Sequence, residues 1–486
     1  MTREIHITGN VTPVFFEIDK PKDSLWVKIE TEEKQPMTIA LFNPAGIFCG
    51  NVTPGIGSFI REIYISRNIC TLTGLKHELQ GGRYSLFILF GESLEEESYS
   101  VILSVETDVT KHYASHYCQQ EKDNENMSFE TLNNREERYY KGDFHGHTIF
   151  SDGHNNMEEA AEILSSQKMD FMAFTEHNGI AFGESPSTCL LIPSMELTLP
   201  IGHMNIHGIK SDKALYELLC ALTAEAGLME EQTNVSYDDI WRGALAFFRD
   251  KSNLSLNHMF LTPWEFCKED CDLTGLNTIE VICDPTYPDS PSANDKAVAF
   301  MDFLWNKGQR LYGIGGSDSH NRKEELYENS KEPSIYGDPA TYVFCRGLSV
   351  DNLINGMKRG NCYTARYVEL DISIGQGRYL PGDEITGTEE IEYRVTVHNV
   401  IKPMYGVFLL NGGIVKKEAL EEGSEMIYCI NPKEDWWLRF GIYDIEGHAI
   451  CYVNPVYRGC IQQNLKTDYK LLMEEFCEQY DKRNFV

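Results

Sequence analysis

Histidines and acidic side chains in this sequence recur where apolar, strand-length runs end, and that placement restricts the folds open to the chain. The first instance is Asp143-Phe144-His145-Gly146-His147-Thr148-Ile149-Phe150-Ser151-Asp152-Gly153, preceded by Tyr139 and Tyr140. It reads as a strand running into a turn. Residues i and i+2 of a strand share a face, so His145 and His147 offer both imidazoles to one point, and Asp152 can return an oxygen ligand there. A second run, Asp170-Phe171-Met172-Ala173-Phe174-Thr175, ends in Glu176-His177-Asn178. Leu190-Leu191-Ile192 leads through Met195 to Glu196, and His203 and His207 lie four apart in a segment that, if extended, aims both the same way. Leu254-Ser255-Leu256-Asn257 delivers His258, and Leu311-Tyr312-Gly313-Ile314-Gly315-Gly316 ends in Ser317-Asp318-Ser319-His320. A lone His-x-His is a weak signal. Its recurrence at one strand end after another is a strong one.

This constellation resembles the PHP family (polymerase and histidinol phosphatase domains), and within it the CehA/McbA-like branch of metal-dependent hydrolases. The resemblance rests on Gly142-Asp143-Phe144-His145-Gly146-His147-Thr148 with Ser151-Asp152-Gly153, Thr175-Glu176-His177-Asn178, Met195-Glu196, Gly202-His203, Asn257-His258 and Gly316-Ser317-Asp318-Ser319-His320. It covers nearly the whole chain. Glu176 stands where the family usually has Asp, and Met259 follows His258 where Pro is common; neither change removes a presumed ligand. The resemblance implies a seven-stranded barrel. It also implies that His145, His147, Glu196 and Asp318 hold one ion, Glu196, His203 and His258 a second, and Asp152, His177 and His320 a third.

The rest of the chain is consistent with an α/β protein of several parts. At 486 residues it exceeds what one core usually organises. Residues 1–107 are β-rich and read as an N-terminal β-sandwich, with Asn43-Pro44-Ala45-Gly46 and Gly81-Gly82 as punctuation. A bland scaffold role is preferred there over substrate shielding or oligomerisation. His77, His112 and His116 lack acidic partners at useful spacing and read as solvated. Residues 108–141 are polar and read as a linker.

Within 142–365 strands alternate with helices. Met157, Ala160, Ala161 and Leu164 make a helical stripe capped by Asn155 or Asn156, and Ser236-Tyr237-Asp238-Asp239 opens another helix. Thr262-Pro263-Trp264-Glu265 has the form of a capping box, and Ser292-Ala293-Asn294-Asp295 repeats it. Such alternation implies parallel pairing, and ligands at successive strand ends converge only if the sheet closes. The expected fold is a central distorted (β/α)7 PHP-type barrel with its site at the C-terminal face. It is flanked by the N-terminal sandwich and a C-terminal β-sandwich at 366–460, with a helical tail at 461–486 around Leu471, Leu472, Glu475 and Phe476.

The nine candidate metal ligands are His145, His147, Asp152, His177, Glu196, His203, His258, Asp318 and His320. No single ion accepts nine, so two or three divalent ions are expected, with Glu196 suited to bridge two of them. Imidazole and carboxylate without thiolate suit zinc, manganese or iron alike. Metals about 3.5 to 4 Å apart bring a shared water near neutrality in pKa, so no protein nucleophile is needed. No Gly-x-Ser-x-Gly elbow is present. Simple packing is the competing reading, most credible for His207 and for His154 beyond the turn. Glu176 is open to three roles, a ligand, a partner that orients a histidine or a structural acid, of which orienting a histidine is preferred. Arg322 and Lys323 fit a phosphate and a solvated helix start equally well.

A formal net charge of −31 argues against nucleic acid and anionic membrane as partners. A phosphorylated small molecule meets the same repulsion unless ions invert the field locally. Met1-Thr2-Arg3-Glu4-Ile5-His6-Ile7 is no secretory signal, and the fourteen cysteines are scattered, so the expected location is the cytoplasm. The leading expectation is a phosphoesterase acting on a small phosphate ester. The alternatives are a carboxylic ester or carbamate hydrolase on the same ions, and a non-catalytic binding protein with structural metals. A homo-oligomer is compatible with all three.

Overall fold

The computed structural model describes residues 1–7, 9–31, 37–53, 61–71, 74–90, 99–110, 118–120, 136–180, 189–209, 217–218, 235–268, 270–387, 389–431, 435–459 and 468–480. His112 and His116 lie outside them.

The first part of the chain forms a six-stranded and a four-stranded antiparallel sheet. Alternation of buried and open positions, as in Val11–Ile18 and Ser24–Glu30, turns one face of each sheet inward. The two faces share one core that includes Ile5, Leu25, Ile39, Leu86 and Val101.

The candidate ligands come from two further sheets. In the ten-stranded sheet, Glu137–Asp143, Phe171–Met172 and Leu190–Leu191 run parallel. The same sheet continues antiparallel through Ala340–Arg346 and Cys362–Ala365 into Ala449–Val453 and Trp436–Asp444, so backbone hydrogen bonding runs on past residue 365. The five-stranded sheet takes Ser194–Leu199, Gly202–His207, Asn253–Leu256, Thr278–Cys283 and Tyr312–Gly316 in order. Its first two pairings are antiparallel and its last two parallel. Isolated parallel bridges, Gly146↔Ser319 and His177↔Glu196, join the ends of the two sheets. A three-stranded sheet, Glu369–Ile374, Ile391–His398 and Glu425–Ile430, shares a core with the far end of the ten-stranded one.

The regular (β/α)7 barrel expected from sequence is not evident. The molecule is a mixed α/β structure dominated by strands, with few helices. The reason is visible in the hairpin Ser194–Leu199 to Gly202–His207. Its two strands are joined by Pro200 and Ile201 alone, and a connection that short forces antiparallel pairing with no crossover helix.

Helix starts were mostly legible. Asn156 caps Met157–Ser166 in a capping box with Glu159, and Ser236 does the same for Tyr237–Phe248 with Asp239. Two expectations are corrected. Thr262–Glu265 starts no helix but lies in a turn, with Trp264 N–H donating to the Leu261 carbonyl at 2.8 Å. The helix expected from Ser292 begins earlier, as Ser290–Asn306, and its Asp289 makes no side-chain cap. Helix Tyr469–Tyr480 buries Tyr469, Leu472 and Phe476, as expected of the tail. No helix among the described residues is long and apolar enough to cross a membrane.

Candidate metal centre

The floor of the site is built from backbone ties to one carboxylate. Asp143 Oδ1 accepts the N–H groups of His145 at 3.1 Å and Ser317 at 3.0 Å, and its Oδ2 accepts that of Gly337 at 2.7 Å. The N–H of Asp318 donates to the His145 carbonyl at 2.9 Å, and that of His147 to the Ser319 carbonyl at 3.1 Å. The two ends of chain carrying His145, His147, Asp318 and His320 are thereby locked together. Burial pushes Asp143 up to about 6, against the pull of those donors.

All nine predicted residues meet in one cluster. Asp318 Oδ1 lies 3.1 Å from Nε2 of both His145 and His147. Glu196 is the hub, with one oxygen or the other 3.4 Å from His145, 3.5 Å from His147, 2.9 Å from His177, 3.1 Å from His203 and 3.4 Å from His258. Asp152 Oδ1 sits 3.3 Å from Nε2 of both His177 and His320. Four sets of donors are close enough to share an ion: His147, Asp152, His177 and His320; His145, His147 and Asp318; His145, Glu196 and His258; and His145, Glu280 and Cys283. Glu196 lies at the third residue of its strand rather than at its end, and it reaches the others because that strand crosses the mouth.

The donor set fits divalent cations. Asp152 Oδ1, Glu196 Oε2, His145 Nε2 and His258 Nδ1 are buried without a hydrogen-bond partner, a costly state for polar atoms unless a cation takes the place. The electrostatics agree. Burial alone would raise Glu196 and Asp318, yet the charge of the imidazoles, His145 foremost, holds both well below the usual carboxylate range. Burial would lower His145, but Asp318, Glu280 and Glu196 hold it well above its ordinary value. His147 goes the other way, pushed down to about 3 by burial and by His320 and His177. Without cations, protons fill the centres of positive charge that these carboxylates demand.

Two partners of the cluster were missed in the sequence. Glu280, inside the apolar strand Thr278–Cys283, accepts Nδ1–H of His145 at 2.7 Å and the backbone N–H of His258 at 3.1 Å. An acid in the middle of a buried strand was the available signal. Asp284 follows that strand and accepts a hydrogen bond from Ser334 Oγ at 3.3 Å. Burial, with the charge of Asp318, pushes it up to about 8.

Other candidates are placed elsewhere. Glu176 accepts from Thr148 N–H, Thr148 Oγ1 and Ser151 Oγ, so it fixes the loop that carries Asp152 rather than a histidine. Burial pushes it up to about 7. His207 hydrogen-bonds the Phe144 carbonyl at 2.8 Å and packs away from the cluster. His154 is exposed beside Glu325, and His77 contacts Asn43. Arg322 lies 3.4 Å from Glu159 and Lys323 3.8 Å from Glu324, and neither lines the cavity over the cluster.

That cavity holds about 570 Å³. Four non-glycine residues on its wall adopt positive φ: Asn178 at 50°, His258 at 23°, Asp284 at 36° and Asp318 at 49°. Backbone strain of this kind gathers at functional sites, where surrounding structure must hold it.

Neither a family model nor a curated protein matches this chain. Solved structures with partial likeness include a two-domain protein containing a predicted PHP-like metal-dependent phosphoesterase from Bacteroides vulgatus, at 13% identity and TM-score 0.33, covering 66% of this chain and 98% of that one. An amidohydrolase from Chromobacterium violaceum with bound sulfate and no metal matches at 14% identity and TM-score 0.25, covering 39% and 91%. A CARDB domain from Pyrococcus furiosus in complex with di-metal ions matches at 16% identity and TM-score 0.14, covering 19% and 84%. Likeness at this level defines neither the fold nor the activity of this chain.

Proposed function

We propose that the chain is a metal-dependent hydrolase whose substrate is a small phosphate ester. The observation that carries this reading is the convergence of nine imidazoles and carboxylates in one cluster, seven of them lining the cavity, with buried, unpartnered atoms among them. In this reading His145, His147, Glu196 and Asp318 would hold one ion, Glu196, His203 and His258 a second, and Asp152, His177 and His320 a third. Divalent ions bound there supply an acidified water and polarise the scissile group. The chain's own residues do the rest. Glu280 orients His145 by accepting a hydrogen bond from its Nδ1–H, and Glu176 holds the loop of Asp152. Asp284, at the edge of the cavity, is pushed up to about 8 by burial, and in this reading it gives the proton to the leaving oxygen.

The PHP-type barrel belongs to the same proposal. The bridges Gly146↔Ser319 and His177↔Glu196 support reading the eight strands from Glu137–Asp143 to Tyr312–Gly316 as a ring closed at its mouth, one strand more than the resemblance implies. The free cysteines among the described residues fit a cytoplasmic setting.

The alternative keeps the ions and changes the bond to a carboxylic ester or carbamate. One observation favours it: no lysine or arginine lines the cavity among the described residues, so a phosphate dianion has only the ions to meet it. The test is turnover by purified protein loaded with zinc, manganese or iron, using nitrophenyl phosphates against nitrophenyl acetate and aryl carbamates. Phosphate esters are expected to turn over and chelation to abolish it. Turnover confined to the carboxylic substrates rejects the phosphoesterase, and no turnover of any substrate rejects the hydrolase.

A further inference from the structure

The cavity extends well beyond the metal-type cluster, and its outer wall has a definite chemistry. Trp264, Tyr287 and Tyr327 form a continuous run of rings, with Trp264 and Tyr287 centroids 5.7 Å apart and Tyr287 and Tyr327 centroids 5.3 Å apart. Trp264 is 42% exposed although the turn before it is fixed to the fold, so an indole face stands open toward the space a substrate must cross. The N-terminal sheet completes the wall. Met37 and Leu89, from neighbouring strands in which Thr38 pairs with Leu89, line the same space. The remaining polar lining outside the cluster comes from Thr38, Asn178, Thr198, Glu265 and Asp284, and Oε2 of Glu265 is buried without a hydrogen-bond partner.

We infer that this outer chamber selects a substrate whose non-reacting end is uncharged and aromatic, stacked on Trp264 and enclosed by Met37 and Leu89 of the N-terminal sheet. The inference rests on the proposed hydrolase for the reacting end only. An anionic remainder would meet Glu265 with no lysine or arginine in the described lining to offset it. A sugar or polyol would set part of its hydroxyls against the apolar Met37, Leu89 and Trp264, a desolvation cost that a flat ring does not meet. A flat ring gains both apolar burial and ring contacts. The N-terminal sheet is then a specificity element, not the bland scaffold that its sequence alone supports.

The test uses the full chain and two readouts. The first is the hydrolysis of 4-methylumbelliferyl phosphate against glucose 6-phosphate by the metal-loaded protein. The aryl ester is expected to be preferred by about tenfold or more in kcat/KM. Trp264→Ala should raise KM for the aryl ester by about tenfold, more than it lowers kcat, with Trp264→Phe restoring most of the loss. Leu89→Ala should act in the same direction. The second readout is fluorescence anisotropy of 4-methylumbelliferone with metal-free protein, where binding is expected and Trp264→Ala should weaken it. Equal or better use of glucose 6-phosphate, or variants that leave KM and dye binding unchanged, overturns the chamber while sparing the hydrolase. Dye binding sensitive to Trp264 without turnover of any ester upholds the chamber and rejects the hydrolase.

Discussion

Glu280 accepts the Nδ1 proton of His145 at 2.7 Å, deep in the five-stranded sheet. The same ring therefore turns Nε2 toward Asp318 Oδ1 at 3.1 Å and Glu196 Oε1 at 3.4 Å, and the side chains of His145 and Glu280 are both fully buried. A carboxylate behind an imidazole fixes its tautomer and its direction before any ion arrives.

Glu280→Gln should therefore lower metal affinity by about 10- to 100-fold with the fold retained. Chelator competition on the variant measures this directly. Unchanged affinity would leave Glu280 as a structural acid.

Glu196 touches five imidazoles, so its loss should be felt by more than one ion. Glu196→Gln is expected to lower bound metal by more than one equivalent, whereas Asp318→Ala and His145→Ala should each lose metal and activity together. Elemental analysis with stoichiometry reads this. A loss of one equivalent or less in Glu196→Gln would show that it bridges nothing.

Gly316 has no room for a side chain, because a methyl group there would overlap the Cβ of His145 and crowd Glu280. Gly316→Ala should push His145 off its line, lowering metal content at modest cost in stability, of about 1–3 kcal/mol. A urea midpoint and metal content measured on the same sample separate the two effects.

Asp284 carries a pH dependence with a definite sign. Its pKa is raised by burial from 3.8 to about 8, so the metal-free folded state binds more protons than the unfolded state between those values. That stabilisation is complete below the unfolded value and is lost as pH rises through about 8, with a slope of at most about 1.4 kcal/mol per pH unit. Asp284→Asn should flatten this limb in urea unfolding of chelated protein. In the loaded enzyme the same variant should slow turnover by about 10²- to 10⁴-fold, the range of a lost general acid.

Arg439 donates to both oxygens of Asp302 at 2.7 and 2.9 Å in a buried pair that ties Trp436–Asp444 to helix Ser290–Asn306. Asp302→Ala leaves a buried guanidinium without its partner and should destabilise the fold by about 3–5 kcal/mol. Thermal unfolding measures it, and a change below about 1 kcal/mol would mean that Arg439 finds solvent instead.

The identity of the cluster was legible in the sequence because a metal-type site draws on few residue types, and period-2 strands put His145 and His147 on one face wherever the strand lies. Local signals were equally readable where they act within a few residues, as at the capping boxes of Asn156 and Ser236. Tertiary structure decided what depends on long-range pairing. It set Glu280 behind His145 across 135 residues of chain, and it turned Thr262–Glu265 into a turn whose Trp264 opens on the cavity. The two-residue link at Pro200 and Ile201 made a hairpin where strand–helix alternation implied a crossover, and Met37 and Leu89 joined the cavity wall from a separate sheet. The sequence determines which atoms can bind a cation, because that is a property of side-chain chemistry. Which of them share a cavity, and what else walls it, is set by packing between segments whose separation along the chain carries no local signal.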